Sequence, residues 1–361
     1  MTAFAAQPLI PIPLGLPALP VPADNPPTEE KIALGKKMFF DRRLSLNGTM
    51  SCAMCHIPTQ GFTAHELRTP VGNAGATVRR NAPTLLNIGY HPLLFHDGRD
   101  SSLETQVWDP LLATNEMANP SVGHLLERLR SLPDYDGLFE TAFAGQGPSA
   151  DRVGQALASY QRSLVSGHSR FDRFRYRGEE QALGALEKQG YRIFIGKGRC
   201  ASCHLIGERS ALLSDFDFHN TGIGWLRSRP PAGVTVQLAP GTRAELTAGD
   251  IRRIGQPPPS DLGRFEVSRD PADRWAYKTP MLRNIALTAP YMHDGSLATL
   301  EQVIAFYDQG GPGAPGQSPL VGPLGLNDEE KAALAAFLRT LTGASISPLD
   351  GHSVSQFRLN N

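Results

Sequence analysis

The sequence predicts an all-α protein made of two related halves. Three observations support this prediction: apolar residues have helical spacing around two cysteine motifs, few stretches alternate as strands do, and one segment is repeated. The chain has 361 residues, enough for two domains, and its 40% hydrophobic content allows a sizeable core.

The start of the chain and its charge balance exclude several classes of protein. Residues 1–25 are rich in proline and lack a basic start, so we expect an extended arm there rather than a signal-peptide core. No stretch approaches the roughly 20 apolar residues of a membrane span. Lys and Arg total 35, as do Asp and Glu, which leaves no basic excess for nucleic acid.

All four cysteines fall in two CxxCH motifs, CAMCH and CASCH. This is the attachment sequence of c-type haem, in which two thiols bond the vinyl groups and the histidine binds iron. A four-cysteine zinc site or a redox dithiol does not require a histidine after both pairs. The predicted haem-binding residues are Cys52, Cys55, His56, Cys200, Cys203 and His204. Because such haem is attached outside the bacterial cytoplasm, we expect a periplasmic protein.

An internal repeat relates the two halves. Residues 83–98 align without gaps on 280–295, with seven identities in sixteen positions, and both copies end in HDG. Each haem motif also follows a helical run with a glycine and an aromatic residue, and Thr28 is a fair N-cap for the first run. We therefore predict two duplicated haem domains. The proline- and glycine-rich stretch 228–263 predicts a long surface loop with little regular structure.

The repeat also predicts that the two irons differ. Tyr307 lies fourteen residues after the second HDG histidine, whereas the same offset in the first copy reaches Pro110, which cannot bind iron. We expect Tyr307 to cap the second haem and the first haem to stay open. Met292 is the alternative ligand, since a thioether also binds haem iron.

An open ferric haem is a place for peroxide to bind, and cleavage of the O–O bond needs a group that moves a proton. Glu116 and Gln106 stand on either side of Pro110. We expect Glu116 to act as acid and base and Gln106 to donate a hydrogen bond. A solvated surface carboxylate is the competing interpretation of Glu116.

Several stretches resemble the bacterial di-haem cytochrome c peroxidase/MauG family, over about residues 24–343. They include LGKKMFFDRRLS, NAPTLLN, FHDGR, GKGRCASCH, KTPMLRNIALTAPYMHDG and EEKAALAAFLRTLTG. The resemblance implies an all-α fold of two cytochrome c-like haem domains related by internal duplication, with long loops. The implied division is an arm (1–25), a domain with the peroxide-reactive haem (26–165), a domain with the His/Tyr haem (166–345) and a tail (346–361).

The resemblance is to the MauG-like, MbnH-like branch of the family. There a tyrosine matching Tyr307 caps the second haem, where ordinary peroxidases carry methionine. Ordinary peroxidases also have a distal histidine about sixteen residues after the first motif, a position that is Gly72 here. The matched distal trio is Gln106, Pro110 and Glu116. The matched calcium ligands are the Asn81 side chain and the backbone oxygens of Thr288 and Pro290, a type of ligand that calcium prefers.

The implied function is post-translational oxidation of a partner protein. Hydrogen peroxide would produce a high-valent, bis-Fe(IV)-type state that oxidises a tryptophan of the partner, for example to kynurenine. The partner would be an MbnP-like copper-binding protein. The alternatives are a detoxifying peroxidase with a small redox protein as donor and a pure electron-transfer cytochrome. His96 replaces the tryptophan that members commonly carry between the haems, so charge sharing needs another route. Trp225 and Trp275 are candidate exit residues.

Overall fold

The computed structural model describes residues 9–229, 233–239, 241–247 and 260–346. The protein is helix-rich with little sheet. The α-helices are α1 Glu29–Phe40, α2 Cys52–Cys55, α3 Leu103–Gln106, α4 Trp108–Leu112, α5 Val122–Ser131, α6 Leu138–Ala142, α7 Ala150–Ser163, α8 Arg170–Arg177, α9 Ala185–Ile195, α10 Ile223–Ser228, α11 Phe265–Ser268, α12 Leu300–Asp308 and α13 Asp328–Arg339. In the described residues, no helix is both long and apolar enough to cross a membrane.

Six short strands lie between the described helices, so the strictly all-α prediction is not confirmed. The strands are β1 Ser166–Gly167, β2 Phe218–His219, β3 Gly233–Ala239, β4 Thr242–Thr247, β5 Tyr277–Lys278 and β6 Ser345–Ile346. They pair antiparallel as β1–β6, β2–β5 and β3–β4. Strand β1 and helix α8 occupy the segment that the sequence predicts to join the two halves.

The expected loop at 228–263 contains a β-hairpin, formed by β3 and β4. The prediction of little regular structure was therefore wrong for this part. The sequence GVTVQLA alternates apolar and polar residues from Val234 to Leu238, and Gly241 has a φ of +79°, which suits a tight turn. Residues 230–232, 240 and 248–259 lie outside the described part of the chain, as do most of the predicted tail and residues 1–8 of the predicted arm.

Two pairs of packed helices lie next to the two motifs. Helix α1 packs on α7, and α9 packs on α13. In each pair a glycine allows close approach, because a Cβ on Gly35 would collide with the carbonyl oxygen of Ala156, and one on Gly190 with that of Ala333. Thr28 caps α1 by accepting a hydrogen bond from the Lys31 amide at 3.2 Å, which confirms the predicted cap.

The buried apolar side chains form two clusters. One takes its buried members from 10–165 together with Met281, and the other takes them from 171–341. Phe39 and Tyr160 are at the centre of the first, with ring centroids 5.1 Å apart. Phe194 and Phe337 pack in the same way in the second, at 5.2 Å. Each helix pair therefore supplies the aromatic centre of its own core.

A buried ion pair ties the arm to the second half of the chain. The guanidinium of Arg283 donates to both carboxylate oxygens of Asp172 on α8, at 3.0 and 2.9 Å, and the two side chains are 2% and 0% exposed. The same guanidinium donates to the carbonyl oxygen of Gly15 at 2.6 Å. Asp172 also accepts from Ser169, as part of the capping box of α8.

Candidate haem sites

The first CxxCH motif forms the one-turn helix α2, and His56 follows it directly. The Nδ1 atom of His56 lies 3.1 Å from the carbonyl oxygen of Phe62. Because a carbonyl only accepts, Nδ1 carries the proton and Nε2 is the nitrogen available to a metal. Burial lowers the pKa of His56, and the main chains of Phe62 and Pro83 act against it. A neutral imidazole held in this way fits an axial haem ligand.

The second motif repeats this geometry. The Nδ1 atom of His204 lies 2.8 Å from the carbonyl oxygen of Leu213. Burial lowers the pKa of His204, and the main chains of Leu213 and Pro280 are among the groups that oppose this. Pro83 and Pro280 are equivalent in the sequence repeat. The two histidines therefore meet matched carbonyl groups from matched segments.

The supporting shell is also matched. The hydroxyl of Thr63 donates to the carbonyl oxygen of Ala82 at 2.6 Å, and the hydroxyl of Ser214 donates to that of Thr279 at 2.7 Å. Thr63 and Ser214 directly follow the carbonyl partners of the two histidines. Bridges between 94 and 100 and between 291 and 297 close the two HDG turns alike. The same local frame thus surrounds both motifs.

The cysteines of both motifs are free thiols and half-buried. Burial raises the pKa of Cys52 to about 12 and that of Cys55 to about 11, and the carboxylate of Glu116 adds to both shifts. Burial likewise raises the pKa of Cys200 to about 12. The Glu116 carboxylate therefore lies near the first motif, on a segment far along the chain.

Glu116 is half-buried and lines a cavity of about 470 Å³, together with Arg99, Trp108 and Asp109 among others. Burial raises the pKa of Glu116, Arg99 lowers it, and Asp109 raises it again. Partial burial beside this cavity favours the acid–base prediction for Glu116 over the competing interpretation as a solvated surface carboxylate. Sequence analysis did not single out Arg99 or Trp108, although Arg99 belongs to the FHDGR stretch.

The other two members of the predicted trio lie on neighbouring short helices. Gln106 is the last residue of α3, and Pro110 lies in α4. The carbonyl oxygen of Pro110 accepts from the amide of Met117 at 3.1 Å, and the amide of Glu116 donates to Ala113 at 2.9 Å. These bonds fold the chain back after α4, so that the loop with Glu116 lies against Pro110 in that helix.

The loop that carries Gly72 packs directly on Glu116. A Cβ on Gly72 would collide with the carbonyl oxygen of Asn115 and lie 2.9 Å from the Cα atom of Glu116. The amide of Asn73 donates to the carbonyl oxygen of Glu116 at 3.0 Å. A histidine side chain does not fit at position 72 in this arrangement. His65, the histidine nearest to this position in the sequence, is exposed, with Nε2 2.6 Å from the carbonyl oxygen of Leu287.

Tyr307 lies on α12, next to the second motif. Burial raises the pKa of its phenol, and the thiols of Cys203 and Cys200 raise it further. A phenol in such surroundings is neutral unless a cation binds it, and ferric iron would be such a cation. The phenol oxygen of Tyr307 is thus a candidate ligand near the second motif.

The structure adds one group near the second motif that sequence analysis missed. The Nε2 atom of His219 lies 3.0 Å from a carboxylate oxygen of Asp215, and ligand atoms of both lie within 4.8 Å of the Cys203 sulfur. A hydrogen bond to Cys203 and then Asp215 raise the pKa of His219 to about 9, against desolvation. A thioether-bonded Cys203 is a poor metal ligand, so these residues fit support of the haem edge better than a separate metal site.

The predicted calcium residues come from both halves of the chain, and Asn81 bonds to the second half near the other two. The amide of Asn81 donates to the carbonyl oxygen of His293 at 2.7 Å, which places Asn81 against the segment that contains Thr288 and Pro290. The side-chain nitrogen of Asn81 donates to Arg68 at 2.9 Å, so the amide oxygen is the atom available to a cation. The donor set is all oxygen, as calcium prefers.

Comparison with known proteins places this arrangement in a family. The family model described as di-haem cytochrome c peroxidase matches residues 29–181. The chain is 38% identical over 327 residues to methylamine utilization protein MauG of Methylorubrum extorquens, which covers 90% of this chain and 81% of the relative. It is 37% identical over 348 residues to cytochrome-c peroxidase IdrP1 of Denitromonas iodatirespirans, covering 91% and 86%.

A solved structure shares the whole architecture. It is a MauG-like protein associated with microbial copper homeostasis, with 32% identity, a TM-score of 0.75 and coverage of 92% of this chain and 95% of that one. The relatives of the present chain are haem-dependent peroxidases and oxidoreductases, and their family implies two c-type haems. This chain therefore belongs to the di-haem cytochrome c peroxidase/MauG family.

Proposed function

We propose that the protein uses hydrogen peroxide at an N-terminal haem, held by the first motif, to oxidise a tryptophan of a partner protein. One observation carries the proposal: the residues near the two motifs are unlike. A carboxyl group with a raised pKa stands near the first, and a phenol stands near the second. The proposed haem-binding residues are Cys52, Cys55, His56, Cys200, Cys203, His204 and Tyr307.

Glu116 is the proposed acid and base for peroxide, assisted by Gln106 and Pro110. When bound, the haem supplies the iron that binds peroxide and holds oxidising equivalents. The Glu116 carboxylate accepts a proton from one peroxide oxygen and returns it to the other, which makes that oxygen a good leaving group. Burial raises the pKa of Glu116, which makes its carboxylate a stronger base for the peroxide proton. Gln106 is proposed to hold the bound oxygen by a hydrogen bond.

Tyr307 is the proposed reason why oxidising equivalents persist. An anionic oxygen ligand favours the higher oxidation states of iron, whereas a thioether favours the reduced state of an electron carrier. Tyr307 therefore supports storage of charge at the second site, which a slow protein substrate requires. The Gly72 loop supports a first site that is open without prior reduction, because no histidine occupies it.

A detoxifying peroxidase is the second candidate function. Relatives named cytochrome-c peroxidase match this chain as well as MauG does. That function predicts rapid turnover with a reduced electron donor and reaction only after half-reduction. The partner-oxidising function predicts reaction of the fully ferric protein.

Adding one equivalent of peroxide to the fully ferric protein tests the proposal. We expect a long-lived near-infrared absorption band, because the two sites share two oxidising equivalents. Replacing Tyr307 with histidine should leave both haems attached and abolish the band and partner oxidation. Tyr291→Phe is the matched control, since Tyr291 is buried in the same half and donates to Ile285 at 3.0 Å. A wild-type protein that turns over peroxide only after reduction would overturn the proposal.

The partner is proposed to be an MbnP-like copper-binding protein, and the location the periplasm. Similarity to a MauG-like protein associated with copper homeostasis supports the first, and covalent haem attachment supports the second.

We further propose that 26–165 and 166–345 are two duplicated cytochrome c-like domains. The matched frames around His56 and His204 and the two separate apolar clusters support this division.

One calcium ion is proposed at Asn81, Thr288 and Pro290, where it would hold the two halves together. Removing it with a chelator should lower the melting temperature, because a ligand that binds only the folded state stabilises it. Adding calcium back should restore the melting temperature, and magnesium should restore it less, because its smaller shell fits such a site poorly. Equal melting temperatures with and without chelator would exclude the site.

A further inference from the structure

We propose that Tyr277 and His293 form an aromatic bridge that carries electrons between the two haem sites. This inference rests on the proposed function, because it names the route by which the two sites share oxidising equivalents. The bridge would supply the route for charge that is needed because His96 stands where relatives commonly carry tryptophan.

The two rings form a close parallel stack. Their centroids lie 3.6 Å apart and their planes differ by 11°, and the residues are 9% and 7% exposed. By contrast, His91 and Phe216 meet edge to face at 5.0 Å and 63°. A buried parallel stack at this distance gives direct overlap of π orbitals, which an edge contact does not.

The stack lies where the two halves meet. The carbonyl oxygen of His293 accepts from the amide of Asn81 at 2.7 Å, and the carbonyl oxygen of Asn81 lies 3.0 Å from Nε2 of His96. The amide of Lys278, next to Tyr277, donates to the carbonyl oxygen of His96 at 2.8 Å. Both HDG histidines therefore belong to one hydrogen-bonded cluster with the stack.

The equivalent prolines of the sequence repeat connect this cluster to both proximal histidines. Pro83, two residues after Asn81, presents its main chain to His56, and Pro280, three residues after Tyr277, presents its main chain to His204. A short covalent and hydrogen-bonded path thus leads from each proximal histidine to the ring pair. The first path ends at His293 and the second at Tyr277.

The surroundings of Tyr277 favour a bridge over a site that holds a radical. Oxidised tyrosine is stabilised only when its phenolic proton moves to a base. Here the hydroxyl donates at 3.3 Å to the carbonyl oxygen of Asp261, and the Asp261 carboxylate also interacts with the phenol. Against the effect of burial, the bonds from Arg80 at 2.6 and 2.8 Å lower the pKa of this carboxylate, which makes it a weak base. The guanidinium of Arg80 lies 5.6 Å from the ring centroid and opposes positive charge on the ring. Electrons therefore cross the stack without a stable tyrosyl radical.

The electron count closes over one turnover. One hydrogen peroxide would take up two electrons and two protons and leave as two water molecules, with its O–O bond broken. With both haems bound, one electron would come from the first site and the other from the second by way of the stack. Oxidation of the partner's tryptophan would return two electrons to the sites and release the two protons that the peroxide takes up.

The test compares two substitutions of Tyr277 in the full di-haem protein. Tyr277→Phe keeps the ring and should keep the near-infrared band after peroxide. Tyr277→Leu removes the ring and should lose the band, while the resting electron paramagnetic resonance signals and haem content stay unchanged. The difference between the midpoint potentials of the two haems should also become smaller in Tyr277→Leu, because the two sites are no longer electronically coupled. His293→Leu removes the other ring and should match it.

Tyr291→Leu is the control for loss of a buried ring. Tyr291 is also 9% exposed and also donates to a main-chain carbonyl, so its loss should cost similar packing but leave the band intact. An undiminished band in Tyr277→Leu or His293→Leu would overturn the bridge, as would equal loss in Tyr277→Phe. A wild-type protein without the band would instead overturn the proposed function, so the two failures are distinguishable.

Discussion

At the scale of single residues, the candidate chemistry depends on a carboxyl group and a phenol whose pKa values burial raises. Glu116 lines a cavity and interacts electrostatically with Arg99, Asp109 and the cysteines of the first motif. A surface carboxylate keeps its usual pKa, whereas burial raises that of Glu116. The position of Glu116 in the fold therefore supports the proposed acid–base role, which its residue type alone leaves open.

Glu116→Gln should slow the reaction with peroxide by about 10²- to 10⁴-fold, the usual contribution of a general acid–base group. Because the carboxylate form accepts the first proton, the wild-type rate should fall as the pH drops through the raised pKa of Glu116, above the usual carboxyl range. The variant should lose this pH dependence. Stopped-flow absorbance at several pH values measures both effects. Glu127→Gln, at an exposed position on α5, is the control, and an equal loss there would refute the assignment.

At the scale of elements, glycines set how closely the helices of each pair approach. Gly35 and Gly190 occupy corresponding places in α1 and α9, and each lies against a carbonyl of its partner helix. Both stand in the helical runs that the sequence predicts before the haem motifs. The sequence thus predicted the helices and the glycines, but not the partner helices α7 and α13, which come from distant segments.

Gly190→Ala should lower the free energy of unfolding by about 1–3 kcal/mol, because the new methyl group overpacks the contact with Ala333. Gly123→Ala on α5 is the matched control: its Cβ would meet only the Ser121 hydroxyl, at 3.7 Å. That substitution should be neutral or raise stability by roughly 0.5–1 kcal/mol, since alanine is the better helix former. Denaturant unfolding measures both changes. Equal effects of the two substitutions would show that the close approach is unimportant.

At the scale of the whole molecule, the two halves are joined by buried polar contacts as well as by the chain. Arg283 connects the arm at Gly15 with Asp172 on α8. Asn81 and His293 join the two HDG segments, and the Tyr277 ring lies in the same junction. The relative placement of the two haem sites is therefore fixed by this junction.

Asp172→Asn should destabilise the fold by about 3–5 kcal/mol, because it leaves the Arg283 guanidinium buried without its counter-charge. Glu180→Gln, which removes an exposed ion pair with Lys188, gives the comparison. The Glu180 and Lys188 side chains are 69% and 29% exposed, so the substitution should cost about 0–1 kcal/mol. Thermal unfolding of both variants measures the difference. A small cost for Asp172→Asn would mean that water reaches Arg283.

The sequence predicted some elements better than others for physical reasons. Thr28 and the run before Cys52 define α1 by local capping and spacing, so this helix and its N-cap were predictable. The stretch 228–263 was read as a loop because proline and glycine dominate it, yet β-branched residues inside it form the hairpin β3–β4. The alternation there is short and surrounded by turn residues, which hides it in composition.

The sequence by itself predicted where haem would be attached and showed that one segment of the chain is repeated. Both are local facts: the thiols and histidine of CxxCH lie within one turn, whatever the rest of the chain does. Only the tertiary structure decided which side chains stand near each motif, that Gly72 packs against Glu116, and that Tyr277 stacks on His293. Those neighbours are far apart in sequence, and their meeting depends on how whole helices and loops pack.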